Sequence, residues 1–312
     1  MDPDITTAVK TALMRAGACA VGIAEAGPVD DSAMAQFDRW LASGHEAGMT
    51  YMHNHREIRR DPRLLLEGAA SVICMAFGYR TGRMRDPGLP HISAYALLPD
   101  YHDVIRKLIR ESGIGETLGE EHRDWRICID SAPVMERYWA VRSGTGIRGD
   151  NGSVIIPGYG CEVFLAEIVT TKRLRPDTPL DRDCGHCGAC RSACPTGALG
   201  TERTADCRRC ISYLTIEHRG PWESAEQIMA MSTAAGKKTL FGCDRCVTAC
   251  PHNRKGIPCT GMPDPSDEIL ALTDDDILTL PPDRLSAKLK GSCLKRAKTD
   301  GLRRNALNLG SL

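Results

Sequence analysis

The sequence predicts a mixed α+β chain in three parts: an N-terminal α/β domain, a cysteine-rich domain and a short helical tail. Helix-like and strand-like hydrophobic patterns alternate over the first 170 residues. Most of the fifteen cysteines then lie between residues 184 and 250. The last forty residues return to a helical pattern and are rich in Lys and Arg. We therefore predict domains over 1–178 and 179–262 and a basic helical tail over 263–312.

Size and charge limit the functional class. The chain has 312 residues and equal numbers of basic and acidic side chains, 40 each, so there is no general attraction to nucleic acid. No apolar run approaches the roughly 20 residues of a membrane span. The N-terminus lacks the pattern of a signal peptide, and abundant cysteines without one indicate a reducing compartment. We expect a cytoplasmic metalloprotein that does not bind membranes.

The N-terminal domain shows regular segments in a clear order. We predict helices over 5–15 and 33–42 and strands over 18–24, 71–77, 126–130, 154–156 and 163–169. Asp130 closes one strand, and a helix is expected to begin at Ser131 with Pro133 in its first turn. Junctions of this kind often carry functional side chains. The alternative is a helix-capping aspartate with Arg137 on the surface.

Two further stretches favour ligand contacts. The arginine cluster Arg56–Arg63, which includes Arg59, suits anionic groups because guanidinium forms paired hydrogen bonds with phosphate or carboxylate. Its alternative is the solvated start of a helix. The glycines between 144 and 152 follow a helix rather than a strand, so a dinucleotide-binding turn is disfavoured. They predict a loop whose backbone approaches a large ligand closely.

The cysteine-rich domain contains two regular runs. Cys184 to Pro195 has the spacing C-x2-C-x2-C-x3-C-P, and Cys243 to Pro251 has C-x2-C-x3-C-P. The first spacing is typical of bacterial iron–sulfur proteins, in which the fourth thiolate binds a second cluster. Two cubane clusters need eight thiolates and the runs supply seven, so one more must come from between them, where Cys207 and Cys210 lie. Zinc sites and disulfide frameworks have other spacings and contexts.

At this point the chain resembles the epoxyqueuosine reductases of tRNA modification, in a short form without their full C-terminal helical repeats. The resemblance rests on both cysteine runs and on the intervening string from Cys210 to Glu217, Ile-Ser-Tyr-Leu-Thr-Ile between them. It extends over 52–62, 71–79, 100–102, 130–137, 144–167 and 291–310.

The resemblance implies a nitroreductase-like cobalamin-binding domain followed by a ferredoxin-like domain with two 4Fe-4S clusters. It assigns Cys184, Cys187, Cys190 and Cys250 to the first cluster and Cys194, Cys210, Cys243 and Cys246 to the second. Seven cysteines are then left as structural: Cys19, Cys74, Cys128, Cys161, Cys207, Cys259 and Cys293. The cobalamin, cycling between cob(II)alamin and cob(I)alamin, would contact Arg59, Tyr101, His102, Arg137 and Ile168.

The implied reaction is reduction of the epoxide of epoxyqueuosine, at the wobble position of a tRNA with a GUN anticodon, to queuosine. Asp130 matches the family's proton donor, and we expect burial against the corrin to raise its pKa. Electrons would come from a low-potential donor that the sequence does not identify, and we expect a monomer. The basic tail with Arg303 and Arg304, together with Arg56–Arg63, would hold the RNA.

One departure from the family and two alternatives accompany this interpretation. The family commonly has Gly-Trp-x-Gly-Lys in the glycine loop, where this chain has Gly146-Ile147-Arg148-Gly149-Asp150. A reductive dehalogenase would share the corrin and two clusters, although such enzymes usually carry an export signal. A simple electron-transfer ferredoxin would leave the first 180 residues without a function.

Overall fold

The N-terminal domain is built on a four-stranded antiparallel sheet. The computed structural model describes residues 3–200, 202–253 and 261–309. The strands are β1 Ala20–Glu25, β2 Ser71–Gly78, β3 His91–Ile92, β4 Trp125–Cys128, β5 Ile147–Arg148, β6 Val154–Ile155, β7 Val163–Thr170 and β8 Thr239–Phe241. The main sheet has the order β1-β2-β7-β4, whereas β5 and β6 form a separate hairpin.

Helices surround this sheet and form most of the C-terminal part. They are α1 Pro3–Arg15, α2 Asp31–Ala42, α3 Arg56–Arg60, α4 Tyr101–Glu111, α5 Gly115–Leu118, α6 Glu136–Arg142, α7 Ala189–Ser192, α8 Ile211–Ile216, α9 Ala225–Ser232, α10 Arg245–Thr248, α11 Asp267–Leu270, α12 Asp274–Thr279, α13 Pro282–Lys288 and α14 Lys298–Leu307. Short 3-10 helices include Thr50–His53 and Cys293–Ala297. The mixed α+β class predicted from the sequence is confirmed. Within the described residues, none of the helices is long and apolar enough to cross a bilayer.

The two faces of the main sheet pack against different layers. On β7, Phe164 and Ile168 join the main core, while Val169 belongs to the layer beneath α2 and α6. This follows from the alternation of side chains along a strand. The main core also includes Phe241 of β8 and Leu302 of α14. Residues from all three predicted segments therefore share one hydrophobic core.

The junction after β4 differs from the prediction. We expected a helix from Ser131, but α6 begins at Glu136, and the residues between form a turn in which the Val134 amide donates to the Ala132 carbonyl at 2.8 Å. Asp130 has a positive φ of 54°, which interrupts regular structure. Its amide donates to the Glu136 side chain at 2.6 Å. The turn, rather than a helix start with Pro133, therefore presents Asp130.

Polar contacts attach the cysteine-rich domain to the rest of the chain. The Gly48 amide donates to the Tyr213 hydroxyl of α8 at 2.7 Å, and the Cys207 amide donates to the His45 carbonyl at 2.8 Å. The buried Asn305 side chain of α14 donates to the carbonyls of Thr215 and Leu240 at 2.8 and 2.9 Å. Buried hydrogen bonds of this kind fix the register between segments.

Candidate active site and cysteine groups

Four thiols line one cavity, and we call them the outer thiol group. They are Cys184, Cys187, Cys190 and Cys250, around a cavity with about 300 Å³ of empty space. Cys187 is exposed, whereas Cys190 and Cys250 are buried. None of the described cysteines forms a disulfide. Four free thiols that converge on one space fit a 4Fe-4S cluster, which needs four thiolates.

A second set, the inner thiol group, consists of Cys194, Cys210, Cys243 and Cys246. Burial and the charges of Cys210, Cys243 and Cys194 raise the pKa of Cys246 to about 12. The Ala198 amide donates to Cys194 Sγ at 3.3 Å. Thiols that repel one another as anions need a cation between them, and the iron of a cluster supplies that charge. This group also fits a cluster.

The other cysteines differ in their surroundings. Cys19, Cys74, Cys128, Cys161 and Cys293 are buried, as structural cysteines are expected to be, while Cys259 lies outside the described residues. Cys161 has a contact that no sequence pattern indicated: its interaction with Cys250 lowers the pKa of Cys250 to about 6. It therefore adjoins the outer thiol group rather than lying in a remote core.

The departure in the glycine loop also adjoins the outer thiol group. Asp150, where the family commonly has Lys, lies in the wall of the same cavity and is only 7 % exposed. Its carboxylate lies 2.9 Å from His186 Nδ1, and Arg191 and Arg203 lie within 3.7 Å. The changed residue therefore connects the hairpin β5–β6 to the cysteine-rich domain through ion pairs.

Asp130 and His102 come together just beyond the end of β4. His102 follows Asp100, whose carboxylate accepts from the His102 amide at 3.1 Å and lies 2.7 Å from Nδ1. The other ring nitrogen, Nε2, lies 3.6 Å from Asp130 Oδ2. The Tyr101 ring stacks on the rings of His102 and of Phe164 in β7, with 4.0 Å and 4.3 Å between the ring centres. The imidazole is thus held between two carboxylates.

This pairing determines where a proton resides. Burial alone would lower the pKa of His102, but Asp100 and Asp130 together raise it to about 9. The interaction with His102 outweighs burial and lowers the pKa of Asp130. The cationic partner stabilises the carboxylate, so the protein itself lowers the Asp130 pKa, whereas the rise expected from burial against a corrin stays a prediction. At neutral pH the pair holds one proton, on His102.

Asp130 is accessible to solvent, and we call its surroundings the Asp130 cleft. Its side chain is 66 % exposed. Burial raises the pKa of Tyr101 and of Tyr51, and the charge of Asp130 contributes to both shifts. Both rings therefore lie within electrostatic reach of a carboxylate that a ligand can contact.

Two carboxyl groups behind Asp130 were missed by the sequence reasoning. Burial and the charge of Asp130 raise the pKa of Glu136 to about 7. Glu167 is fully buried on β7 between Cys74 of β2 and Cys128 of β4. Neither of its carboxyl oxygens has a hydrogen-bond partner among the described residues, and burial raises its pKa well above the ordinary value. Glu167 is therefore protonated, because an unpaired buried carboxylate is costly.

The predicted cofactor contacts have mixed outcomes. Arg137 is exposed near Asp130, whose pKa its charge helps to lower, and Arg59 is half-buried near Glu136. The Ile168 side chain is fully buried in the main core, and its contact with a cofactor stays a prediction. Arg148 is a new candidate: its buried Nε has no hydrogen-bond partner in the part of the chain that the structure describes, and burial lowers its pKa to about 10.

The arginines expected to hold RNA are mostly occupied within the chain. Arg56, Arg60 and Arg63 pair with Asp38, Asp31 and Asp61 at 2.6 to 2.8 Å. In the tail, Arg303 donates to the Leu280 carbonyl at 2.8 Å, and Arg304 donates to the Leu214 carbonyl at 2.7 Å. Arg304 also lies over the Trp222 ring at 4.7 Å. These side chains stabilise the fold, which weakens the prediction that they bind phosphate.

Comparison with known proteins gives consistent matches. Residues 59–131 match the family described as "Epoxyqueuosine reductase QueG, DUF1730", and residues 183–253 match a 4Fe-4S double cluster binding domain. An epoxyqueuosine reductase of Synechococcus sp. (strain RCC307) is 35% identical over 98% of this chain and 94% of its own length.

Solved structures agree with these matches. An epoxyqueuosine reductase crystallised with a tRNA-Tyr epoxyqueuosine-modified stem loop superposes with a TM-score of 0.84 at 26% identity, over 98% of this chain and 80% of that one. The Bacillus subtilis epoxyqueuosine reductase, with its catalytic aspartate loop swung out of the active site, has a TM-score of 0.83 at 26% identity and the same coverage. The near-complete match to the cyanobacterial relative shows that this chain belongs to the epoxyqueuosine reductase family of oxidoreductases.

Proposed function

We propose that this chain reduces the epoxide of epoxyqueuosine in tRNA to the alkene of queuosine, with release of water. The observation that carries the proposal is the His102–Asp130 pair, which holds a proton in an open cleft of a chain that also gathers two groups of four thiols. The reaction consumes two electrons and two protons. A cleft acid and a pair of clusters supply both kinds of reactant.

The thiols divide into two proposed ligand sets. We assign the outer thiol group to one 4Fe-4S cluster and the inner thiol group to the other, with Cys207 as a structural residue. The exposed Cys187 makes the outer group the point of electron entry from a low-potential donor protein. Cys207 links the inner group to the cleft. Burial and the charge of Cys210 raise the pKa of Cys207, and the charge of Arg137 lowers it.

The cleft has features that fit a cobalamin. Asp130 is accessible there, and Arg59, Tyr101 and Arg137 lie around it. Arg148 lies near Arg137, and its buried Nε has no hydrogen-bond partner among the described residues. These cationic and aromatic groups would hold the amide-bearing edge of a corrin. When bound, cobalamin would supply a strong reductant at the epoxide carbon.

The proton path follows from the contacts around His102. The imidazolium sits 3.6 Å from Asp130, so transfer of its proton to Asp130 would make the carboxylic acid that protonates the opening epoxide oxygen. Asp100 remains ionised and stabilises the imidazolium. His102 is in this view the proton store and Asp130 the group that faces the substrate.

The proposed substrate is a tRNA with a GUN anticodon, which agrees with the stem loop bound by the structural relative. We place the reaction in the cytosol, where the thiols stay reduced, and expect a monomer. Anaerobic reconstitution with iron, sulfide and cobalamin, followed by nucleoside analysis of tRNA carrying epoxyqueuosine, tests the proposal. Queuosine must appear; reconstituted protein that leaves epoxyqueuosine unchanged under reductant contradicts it.

A matched pair of variants tests the ligand assignment. Cys210→Ser should remove about half of the bound iron and the spectroscopic signal of one cluster, because a cubane rarely survives the loss of a thiolate. Cys207→Ser, three residues earlier, should retain all of the bound iron and the signals of both clusters. Iron analysis and low-temperature EPR of the reduced proteins separate the two. Loss of a cluster from the Cys207 variant with retention in the Cys210 variant would reverse the assignment.

A further inference from the structure

An exposed aromatic ring carries a fixed cation at the edge of the cleft. Tyr51, in the 3-10 helix Thr50–His53, is 42% exposed. The Arg296 guanidinium lies 5.6 Å from the centre of its ring. Two nitrogens of Arg296 each donate to a Glu217 carboxylate oxygen at 2.7 Å. We call this pair the Tyr51–Arg296 shelf.

Backbone contacts place the shelf beside the proposed acid. The segment that leads to Arg296 joins the start of α4: Ser292 bridges to Pro99, and the Asp100 amide donates to the Gly291 carbonyl at 2.8 Å. Asp100 in turn holds His102, which contacts Asp130. The Tyr51 side of the shelf is fixed by the hydrogen bond between Gly48 and Tyr213. All three parts of the chain therefore meet here.

The shelf has the properties of a stacking platform. Its guanidinium is oriented by a bidentate ion pair, so little conformational freedom remains to be lost on binding. Unpaired RNA bases stack on aromatic rings and on guanidinium planes. Arg296 is also engaged in a salt bridge, but its partner Glu217 binds the edge of the guanidinium while its plane lies over the Tyr51 ring. Stacking uses the planes of such groups rather than their hydrogen-bond donors, so this pair remains suited to a base.

We propose that the Tyr51–Arg296 shelf stacks the nucleobase next to the modified nucleoside in the anticodon loop. A nucleoside that enters the Asp130 cleft must leave the stack of its neighbours, and this exposes the face of an adjoining base. The shelf covers that face and keeps the modified nucleoside directed into the cleft. The inference rests on the proposed function and adds the site that receives the rest of the anticodon loop.

A cycle of protein and RNA variants tests the proposal. The proteins are reconstituted wild type, Tyr51→Ala, Tyr51→Phe and, as a control, Arg123→Ala. Arg123 is also an exposed arginine paired with carboxylates, but it precedes β4 at the end opposite Asp130. The RNAs are an anticodon stem loop with epoxyqueuosine and two copies with an abasic residue on its 5′ or 3′ side. Binding is measured by fluorescence anisotropy at one fixed salt concentration.

Tyr51→Ala should weaken binding of the intact loop about tenfold or more, as expected when one base loses its stacking partner. Tyr51→Phe and Arg123→Ala should stay within about twofold of wild type. On one of the two abasic loops, the Tyr51→Ala protein and wild type should bind equally, because the stacked base is already missing. If Tyr51→Ala weakens binding of all three loops equally, or weakens binding of none of them, the proposed role of the shelf is overturned.

Further controls separate the possible failures. Cluster absorbance and thermal midpoint verify that Tyr51→Ala is folded; if it is not, Arg296→Gln passes through the same cycle with the same criteria. Wild-type protein that converts epoxyqueuosine but binds independently of residue 51 overturns the shelf alone. Wild-type protein that neither binds nor converts the intact loop overturns the proposed function together with the shelf.

Discussion

The cleft around Asp130 and the layer beneath α6 hold carboxyl groups in opposite environments. Asp130 is largely exposed, faces a protonated histidine and has a lowered pKa. Glu167 is fully buried, lacks a hydrogen-bond partner in the described structure and has a raised pKa. Glu136 lies between them, with a pKa of about 7. Three acids in electrostatic reach of one another thus divide into ionised, intermediate and neutral groups.

The difference teaches how one small region holds protons for a reaction that consumes two of them. Adjacent carboxyls whose environments separate their pKa values take different chemical roles. Asp130 is the member that meets the cleft, Glu136 holds the Asp130 amide, and Glu167 stays neutral so that Glu136 is able to ionise. Substitutions at each position test this division.

The largest effect is expected from Asp130→Asn. Single-turnover formation of queuosine should fall about 100-fold or more, which is the usual contribution of a positioned general acid. Iron content, cluster absorption and affinity for the stem loop should not change, because the amide has the same size. An unchanged single-turnover rate would remove Asp130 from the mechanism.

The next largest effect concerns His102→Asn. The wild-type rate should fall as the pH rises through about 9, since the pair then loses its proton. Without His102 the proton must reside on the Asp130 carboxyl itself, so the rate at pH 7.5 should drop about tenfold or more and recover toward acidic pH. His122→Asn, at an exposed turn before β4, is the control. If the rate of the His102→Asn variant still falls as the pH rises through about 9, a group other than His102 loses its proton there.

A smaller effect is expected at Glu136, which positions Asp130 through its amide. The groups that face its carboxylate are Asp130, Arg137, His102, Arg59 and Glu167. As the pH rises through about 7, Glu136 ionises and becomes a stronger acceptor for the Asp130 amide, so the wild-type rate should rise through that range.

Substitutions of Glu136 separate its charge from its shape. The rate of Glu136→Gln should no longer rise as the pH passes through about 7. Most of the rate at pH 8 should remain, since the amide oxygen of Gln also accepts a hydrogen bond from the Asp130 amide. Glu136→Ala should lower kcat about tenfold with little change in KM. The same pH profile in Glu136→Gln and wild type would show that the charge of Glu136 has no effect on the loop.

The smallest effect on turnover is expected from Glu167→Gln, and its signature is in stability. A carboxyl whose folded pKa is raised gives its full contribution below the unfolded value of about 4.3 and loses it as the pH rises toward the folded value. In that window, the free energy of unfolding of wild type should therefore fall by up to about 1.4 kcal/mol for each pH unit relative to that of Glu167→Gln. Thermal midpoints of both anaerobic proteins from pH 5 to 8 test this; parallel curves would show that Glu167 is not a buried neutral acid.

Local patterns predicted the elements that depend on neighbours in sequence. The helices near 5–15 and 33–42 and the strands near 71–77 and 163–169 were found within a few residues, because hydrophobic periodicity reports burial of one face. The start of α6 was missed because the side chain of Glu136, rather than Pro133, determines where the turn ends. Glu167 looked like one polar residue in a buried strand, and no spacing indicates that its neighbours across the sheet are Cys74 and Cys128.

The sequence by itself determined the cofactor class and the family, because thiolate ligands must follow one another at fixed intervals around a cluster and so leave a readable spacing. The tertiary structure alone decided the charge states in the cleft. The lowered pKa of Asp130 depends on His102 and Tyr101 of α4 and on Arg137 of α6, against the effect of burial, and these groups meet only in the folded chain. Desolvation and charge act through space, so they leave no spacing in the sequence. No sequence pattern therefore indicated the His102 contact that lowers the pKa of Asp130, and the rise expected from burial against a corrin stays a prediction.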